Sequence, residues 1–189
     1  MSFQATTGND NTGCGYLSGG QQTTGHGNTF VGNAAGYTTT TGSNCSALGK
    51  NAWSSSATAS NEVTLGDGAI SSLRCADTSI SSVSDRRDKT DIVDLPVGLD
   101  FINSVRPVKF KWQTREGIPS KDGKIRAGFI AQELQEAQTG SEYLDLVYDS
   151  NPDKLEAKQG KLVPVLVKAV QELSAENTAL KARLDAAGL

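Results

Sequence analysis

Glycine recurs at Gly15, Gly32, Gly49 and Gly66, seventeen residues apart without a slip. A fixed period of this kind puts the same position into the same environment once per repeat, so the first part of the chain cannot be an ordinary mixed globule. The neighbours keep the phase. Cys14, Val31, Leu48 and Leu65 precede the glycines, and the small residues Ser18, Ala35, Ala52 and Ala69 stand three places after them. Thr24, Thr41 and Thr58 follow at nine places, with Thr7 in the same phase, and an asparagine opens each unit at Asn11, Asn28, Asn44 and Asn61. Residues 1–83 carry only Lys50 and Arg74 as basic residues, a composition that alone suits a flexible linker. Disorder would not hold this register. One repeat with one or two inward apolar residues cannot bury its face alone, whereas stacked copies can. "NTFVG" and "NEVTLG" alternate like strands. We assign residues 1–80 to a repetitive β unit of 17-residue repeats, with residues 4–72 forming a β-solenoid or β-roll of about four coils. So small a core favours lateral association of chains.

The rest of the composition mainly excludes. A net charge of −3 over 189 residues argues against a nucleic-acid binder. No apolar run approaches the ~20 residues of a membrane span, and the N-terminus does not read as a signal peptide. Cys14, Cys45 and Cys75 are far apart and form no C-x-x-C pair, so three reduced thiols packed as small apolar groups are expected, with no metal and no cofactor. His26 is the one histidine, which leaves a Ser-His-Asp triad little support.

Charge becomes dense at "SSVSDRRDKTDI", and the periods change. Residues 81–189 read as a mixed α/β domain, giving an α+β chain. "KTDIVDL" is expected as a strand. "LPVGLDFINSV" is expected as a helix with Asp94 as cap and Pro96 in its first turn. "RPVKFKW" reads as a half-buried strand with Val108, Phe110 and Trp112 on one face, and "TREGIPSKDGK" as a loop. A strand at "IRAGFIA" runs into a helix at "AQELQEA", and "EYLDLVYD" reads as a further strand. From Lys161 to Ala187 apolar residues alternate spacings of three and four. Val163, Val170, Asn177 and Leu184 form one column; Leu166, Leu173, Leu180 and Ala187 form the other. This is either an amphipathic helix packed on its own domain or a self-associating coiled coil. Asn177 within the seam favours the second, since a polar seam residue commonly sets register and oligomer state.

"SDRRDKTDI", "GLDFINSVRPVKFKW", "AGFIAQELQEA" and "KLVPVLVKAVQEL" occur in that order. Together, over residues 83–175, they resemble the self-cleaving intramolecular chaperone domain of phage endosialidases, tail spikes and tail fibres, a domain type shared with membrane-bound transcription factors of the myelin regulatory type. The repeats before it are similar to the stalk repeats of trimeric phage fibres and bacterial adhesins. The resemblance implies a homotrimer that helps a fibre fold and then cuts itself off. The family's Ser-Asp-x-Arg-x-Lys motif falls on Ser84, Asp85, Arg87 and Lys89. It implies Ser84 as nucleophile, Lys89 as the other member of the dyad, Asp85 and Arg87 as supporting residues, and the Val83–Ser84 bond as the cut. Asp88 stands where the family more usually has an apolar residue.

A serine beside the bond it cleaves can attack the carbonyl before it, exchanging amide for ester, which water opens. It needs a base. A free lysine, with a pKa of about 10.4, is neutral only about once in 2,500 molecules at pH 7. Burial, or the charge of Arg86 or Arg87, would favour the neutral amine. Five residues turn about 500° along a helix, placing Ser84 and Lys89 roughly 140° apart. An odd offset along a strand puts them on opposite faces. A turn between them, or a lysine from a neighbouring chain, is therefore required.

The leading expectation is the end of a phage tail fibre or spike, with a virion location, assembled in the host cytoplasm and losing its chaperone fragment after cleavage. Its partners would be two further copies of the chain and, through the stalk, a host cell-surface glycan or receptor. The alternative is a trimerisation cap that never cuts, on a host-binding fibre. A regulatory protein released from a membrane lacks the expected transmembrane segment. A glycan-cleaving enzyme has only the scattered Asp10, Glu62, Asp67 and Asp77 to draw on.

Overall fold

The computed structural model describes residues 7–77, 79–113 and 123–188. It is mixed α and β, ending in a long helix. The described parts fall into two compact units. One comprises the chain up to Arg74 with the segments Lys111–Lys124 and Asp149–Lys154. The other comprises Cys75–Phe110, Ile125–Tyr148 and Leu155–Leu189.

In the first unit β1 (Thr12–Cys14), β2 (Thr29–Val31), β3 (Ser46–Leu48) and β4 (Val63–Leu65) form one parallel sheet in chain order. Thr12 pairs with Thr29, Thr29 with Ser46 and Ser46 with Val63, so every coil advances by the repeat length. Phe30, Ala35, Cys45, Ala47 and Ala52 make the buried core. The inward strand residue is thus the central one, Phe30 or Ala47, and the small column Ser18, Ala35, Ala52 is fully buried beside it. The apolar column before the glycines faces the other way: Cys14 is exposed and Leu48 is 56 % exposed.

The asparagines form two columns, not one. Asn11 and Asn28 point inward. Asn28 N–H donates to Asn11 Oδ1 (2.9 Å) and Cys45 N–H to Asn28 Oδ1 (2.8 Å), while Asn28 Nδ2 donates to the Gly42 carbonyl (2.9 Å). Each amide thereby ties two coils with both ends of its side chain bonded. Asn44 and Asn61 sit one place earlier in the repeat, with Asp10 and Gly27. All four have positive φ, between 55° and 64°. Gly, Asn and Asp tolerate that left-handed conformation best, which explains the residue types.

Two glycine columns set the stacking distance. Gly32 has φ of +135°. At Gly42 the backbone is ordinary, but a Cβ would run into the carbonyl oxygen of Ala59 on the next coil. Gly42→Ala should therefore destabilise this unit by about 3 kcal/mol or more, as backbone-against-backbone overpacking does. Thermal denaturation would show it; an unchanged midpoint would mean that the coils do not stack this closely.

The second unit holds α1 (Leu99–Ser104), the antiparallel pair β5 (Val108–Phe110) and β6 (Arg126–Gly128), α2 (Ala131–Ala137), the antiparallel pair β7 (Val147–Tyr148) and β8 (Glu156–Ala157), and α3 (Val163–Ala186). Its core is Leu134, Leu144, Leu146, Val147, Leu162 and Val165, flanked by Phe101, Ile102, Val105 and Phe129.

Several sequence expectations change here. No strand forms at Lys89–Leu95: Asp91 has φ of +50°, and Ile92 and Val93 stay exposed with no partner strand among the described residues. The expected helix starts later, because Gly98 is its N-cap rather than Asp94. Its first donor is met from afar, with Leu99 N–H donating to Glu172 Oε2 of α3 at 2.7 Å. Trp112 lies beyond β5 and is 46 % exposed. "EYLDLVYD" gives a 3₁₀ turn, Glu142–Leu144, then a left-handed Asp145, and only Val147–Tyr148 as strand. Residues 114–122 of the expected loop lie outside the described residues, as do residues 4–6 of the repeats. Of the cysteines only Cys45 is buried; Cys14 and Cys75 are exposed and do not pack as core thiols.

Helix α3 presents two stripes. Leu162, just before it, and Val165 and Ala169 within it are buried. Each stands one residue before a seam position, so the two stripes are about 100° apart around the axis. The seam itself is open in the single chain, with Val163, Val170 and Leu180 all more than half exposed. Packing of the helix on its own domain therefore uses residues other than the a/d columns.

Candidate active site

Ser84 and Lys89 flank a 3₁₀ turn, Arg86–Asp88. Asp85 enters it in an extended conformation and Lys89 leaves it extended, so the chain reverses across three residues. The tight i→i+3 geometry does what neither a helix nor a strand could do at this offset. Lys89 Nζ donates to Ser84 Oγ at 2.6 Å and lies 3.4 Å from the Ser84 carbonyl oxygen. The pairing is made within one chain. A neutral amine at this distance could take the hydroxyl proton directly.

The turn is closed by Asp88 N–H to the Asp85 carbonyl and Lys89 N–H to the Arg86 carbonyl, both 3.2 Å. Asp85 Oδ1 accepts from Arg87 N–H at 2.8 Å, and Arg87 Nη2 donates to Asp85 Oδ2 at 2.7 Å. The Arg87 guanidinium, and then its backbone N–H, hold the Asp85 carboxyl below the usual carboxylate range, and the carboxylate raises Arg87 in return. The whole stretch from Val83 to Lys89 is exposed, with Val83 89 % exposed.

Sequence reasoning required a turn or a lysine from a neighbouring chain, and the motif named Asp85 and Arg87 as support without saying how they act. The signal was the Asp85-x-Arg87 spacing, since an aspartate accepting from the N–H two residues on is the usual opening of a helical turn. Among the described residues, no group of three His, Cys, Asp or Glu side chains is arranged to hold a metal ion, and no helix is long and apolar enough to cross a membrane. His26 is far from this turn in the chain; its Nδ1 accepts from Asn9 N–H at 3.0 Å within the repeats.

Residues 84–143 match the family model Peptidase_S74, described as chaperone of endosialidase. The match begins at Ser84, takes in the turn, α1, β5, β6 and α2, and covers less than half of the chain. It supports the resemblance drawn from the sequence blocks and takes in three of the four, "KLVPVLVKAVQEL" lying beyond it; over this segment the chain is similar to the chaperone of endosialidase. No curated protein and no solved structure gave a significant match.

Proposed function

We propose that the chain is the C-terminal part of a phage tail fibre or spike, in which an intramolecular chaperone drives trimerisation and folding of the repeat stalk and then releases itself at Val83–Ser84. The observation that carries this reading is the 2.6 Å pairing of Lys89 Nζ with Ser84 Oγ at the first residue of the matched segment. Lys89, as the neutral amine, takes the hydroxyl proton while Ser84 Oγ bonds to the Val83 carbonyl carbon. The C–N bond then breaks, and the departing Ser84 nitrogen takes up a proton. An ester joins Val83 to Ser84 Oγ. Water hydrolyses it, restoring the hydroxyl and leaving a Val83 carboxylate, so one bond is cut and one water consumed. The developing oxyanion is held by backbone N–H groups or an arginine.

Assembly is the trigger in this reading. Ser84 and Lys89 are exposed to water in the single chain. Packing of three chains would exclude water from the pair. The open a/d seam of α3 and the outward Cys14–Val31–Leu48–Leu65 column support such packing. The exposure of the pair also favours a second reading, a trimerisation cap that binds through its stalk and never cuts. The intact mass of freshly produced chain separates the two.

A further inference from the structure

We propose that Ala59 stops the stack at four coils and so keeps a fifth repeat, residues 67–83, off the stalk as an open segment carrying the bond that is cut. The role in cleavage rests on the reading of Val83–Ser84 as that bond; the stop itself does not. The seventeen-residue phase does not end at the fourth coil. One period after Ala52, Ser60 and Val63 come Ala69, Asp77 and Ile80. Ala69 continues the small column. His26 Nδ1, Ser43 Oγ and Ser60 Oγ each accept the N–H of the residue one repeat earlier, at 3.0, 3.0 and 2.9 Å, and Asp77 would offer a carboxylate oxygen to Ser60 N–H in the same way. Ile80 is in register with Val63, the first residue of β4, and would open a fifth parallel strand. Yet β4 is the edge of the sheet, and no further strand pairs with it among the described residues. Leu73 stays exposed, and Ile80 is 97 % exposed.

What differs is one methyl group. Gly8, Gly25 and Gly42 share a column, and a Cβ on each would run into the carbonyl oxygen one coil on, that of Gly25, Gly42 and Ala59 in turn. The next member of the column is Ala59, which carries that Cβ and is buried. A fifth coil on the same path would drive the Ala76 carbonyl into it. Backbone cannot step aside cheaply, so the stack ends there. The other glycine column points the same way. Gly15, Gly32 and Gly49 have φ of 133°, 135° and 118°, whereas Gly66 has φ of 72°, so the chain leaves the common path at the fourth coil. The next member of that column is Val83, and a β-branched residue at positive φ is a strained outlier. The segment before Ser84 is thus not drawn into the stalk. A bond held in a ladder of coils must open before it can be attacked, and this one is left open.

The test reads trypsin cleavage after Arg74, the only basic residue between Lys50 and Arg86, in the full chain carrying Ser84→Ala so that it stays whole. That parent should be cut rapidly at Arg74. Adding Ala59→Gly should slow the cut about tenfold and protect the amides of residues 79–82 from hydrogen exchange, since a stacked coil must open locally before either can occur. Asn151 Nδ2 donates to the Ser55 carbonyl, just ahead of β4, at 2.9 Å, so Ala59→Gly is also paired with Asn151→Ala to free that corner. Ala59→Ser keeps the Cβ and should match the parent. Slower cutting in either glycine variant, with the serine variant unchanged, supports the stop. Unchanged or faster cutting in both glycine variants, or equal slowing in Ala59→Ser, overturns it. Should the glycine variants fail to fold, exchange in the assembled parent decides: fast exchange at residues 79–82 supports the open segment, and protection overturns it. With Ser84 restored, the protected variant should cleave itself about tenfold more slowly than wild type. A wild-type rate there overturns the role in cleavage. A wild-type chain that never cleaves defeats the reading of the cut, while the Arg74 rates still decide the stop.

Discussion

Replacing Ser84 by alanine is expected to leave an intact, folded and assembled chain in which no fragment begins at residue 84. The side chain is exposed and its hydroxyl meets only Lys89 Nζ among the hydrogen bonds that build this turn. Its removal costs the fold little, because substitutions at exposed positions outside such special features usually stay within about 0.5 kcal/mol. Yet it deletes the attacking atom, and covalent catalysis has no other route to the ester. Lys89→Arg is the companion variant. It keeps a cation in place, but a guanidinium cannot serve as base, so cleavage should again be lost. Intact-mass measurement of both proteins checks the pair. A fragment starting at Ser84 from the lysine variant would remove Lys89 from the chemistry, and a fragment of the same length from the alanine variant would remove Ser84.

The second large effect concerns α3. Leu173→Glu should convert an assembled chain into monomer at micromolar concentration and slow cleavage by tenfold or more. Leu173 lies in the a/d seam and is 47 % exposed in the single chain, so the substitution leaves that chain's own core intact. In a trimer it would bring three carboxylates together near the axis, and uncompensated buried charge costs about 3–5 kcal/mol. Ala182→Glu, on the far side of the same helix, is the control and should change neither property. Sedimentation reads the first effect and the cleavage rate the second. A monomer that cleaves at the wild-type rate would show that assembly is not the trigger. So would wild-type cleavage that stays first-order and independent of concentration when refolding is dilute and trimer formation slow. If the trigger is assembly, loss of the chaperone afterwards would leave the stalk without the path by which it folded, and its persistence would be kinetic.

The legible parts of this fold were those set by period. The 17-residue phase translated directly into parallel strand register, because each coil repeats the same backbone path. The helical run of α3 and the strand–helix passage from β6 to α2 were likewise visible. What period could not tell was orientation. The column Cys14, Val31, Leu48, Leu65 is the most apolar in the repeat, and only the strand pairing shows that it points outward while Phe30 and Ala47 point in. Asn28 and Asn44 look equivalent in a list, but one bridges coils with its side chain and the other occupies a left-handed corner. Contacts distant in sequence were also invisible. Helix α1 begins at Leu99, whose N–H donates to Glu172 of α3, and a Cβ at its N-cap Gly98 would run into that carboxylate. The apolar pattern of "KTDIVDL" had no way to announce that no strand would pair with it.

At the candidate site, the offset of Ser84 and Lys89 required either a turn between them or a lysine from a neighbouring chain. The turn's builder, Asp85 with Arg87, required the three-dimensional bonds. The exposure of the pair was not legible either, since it depends on what the rest of the chain covers.

The intact mass of the freshly produced wild-type chain, followed through refolding, tests the central claim most directly. The expected result is two products that sum to the full chain plus one water, the C-terminal one beginning at Ser84, appearing as the trimer forms. A single species of full mass that persists in a fully assembled trimer would contradict it, and would leave the domain as a permanent trimerisation cap.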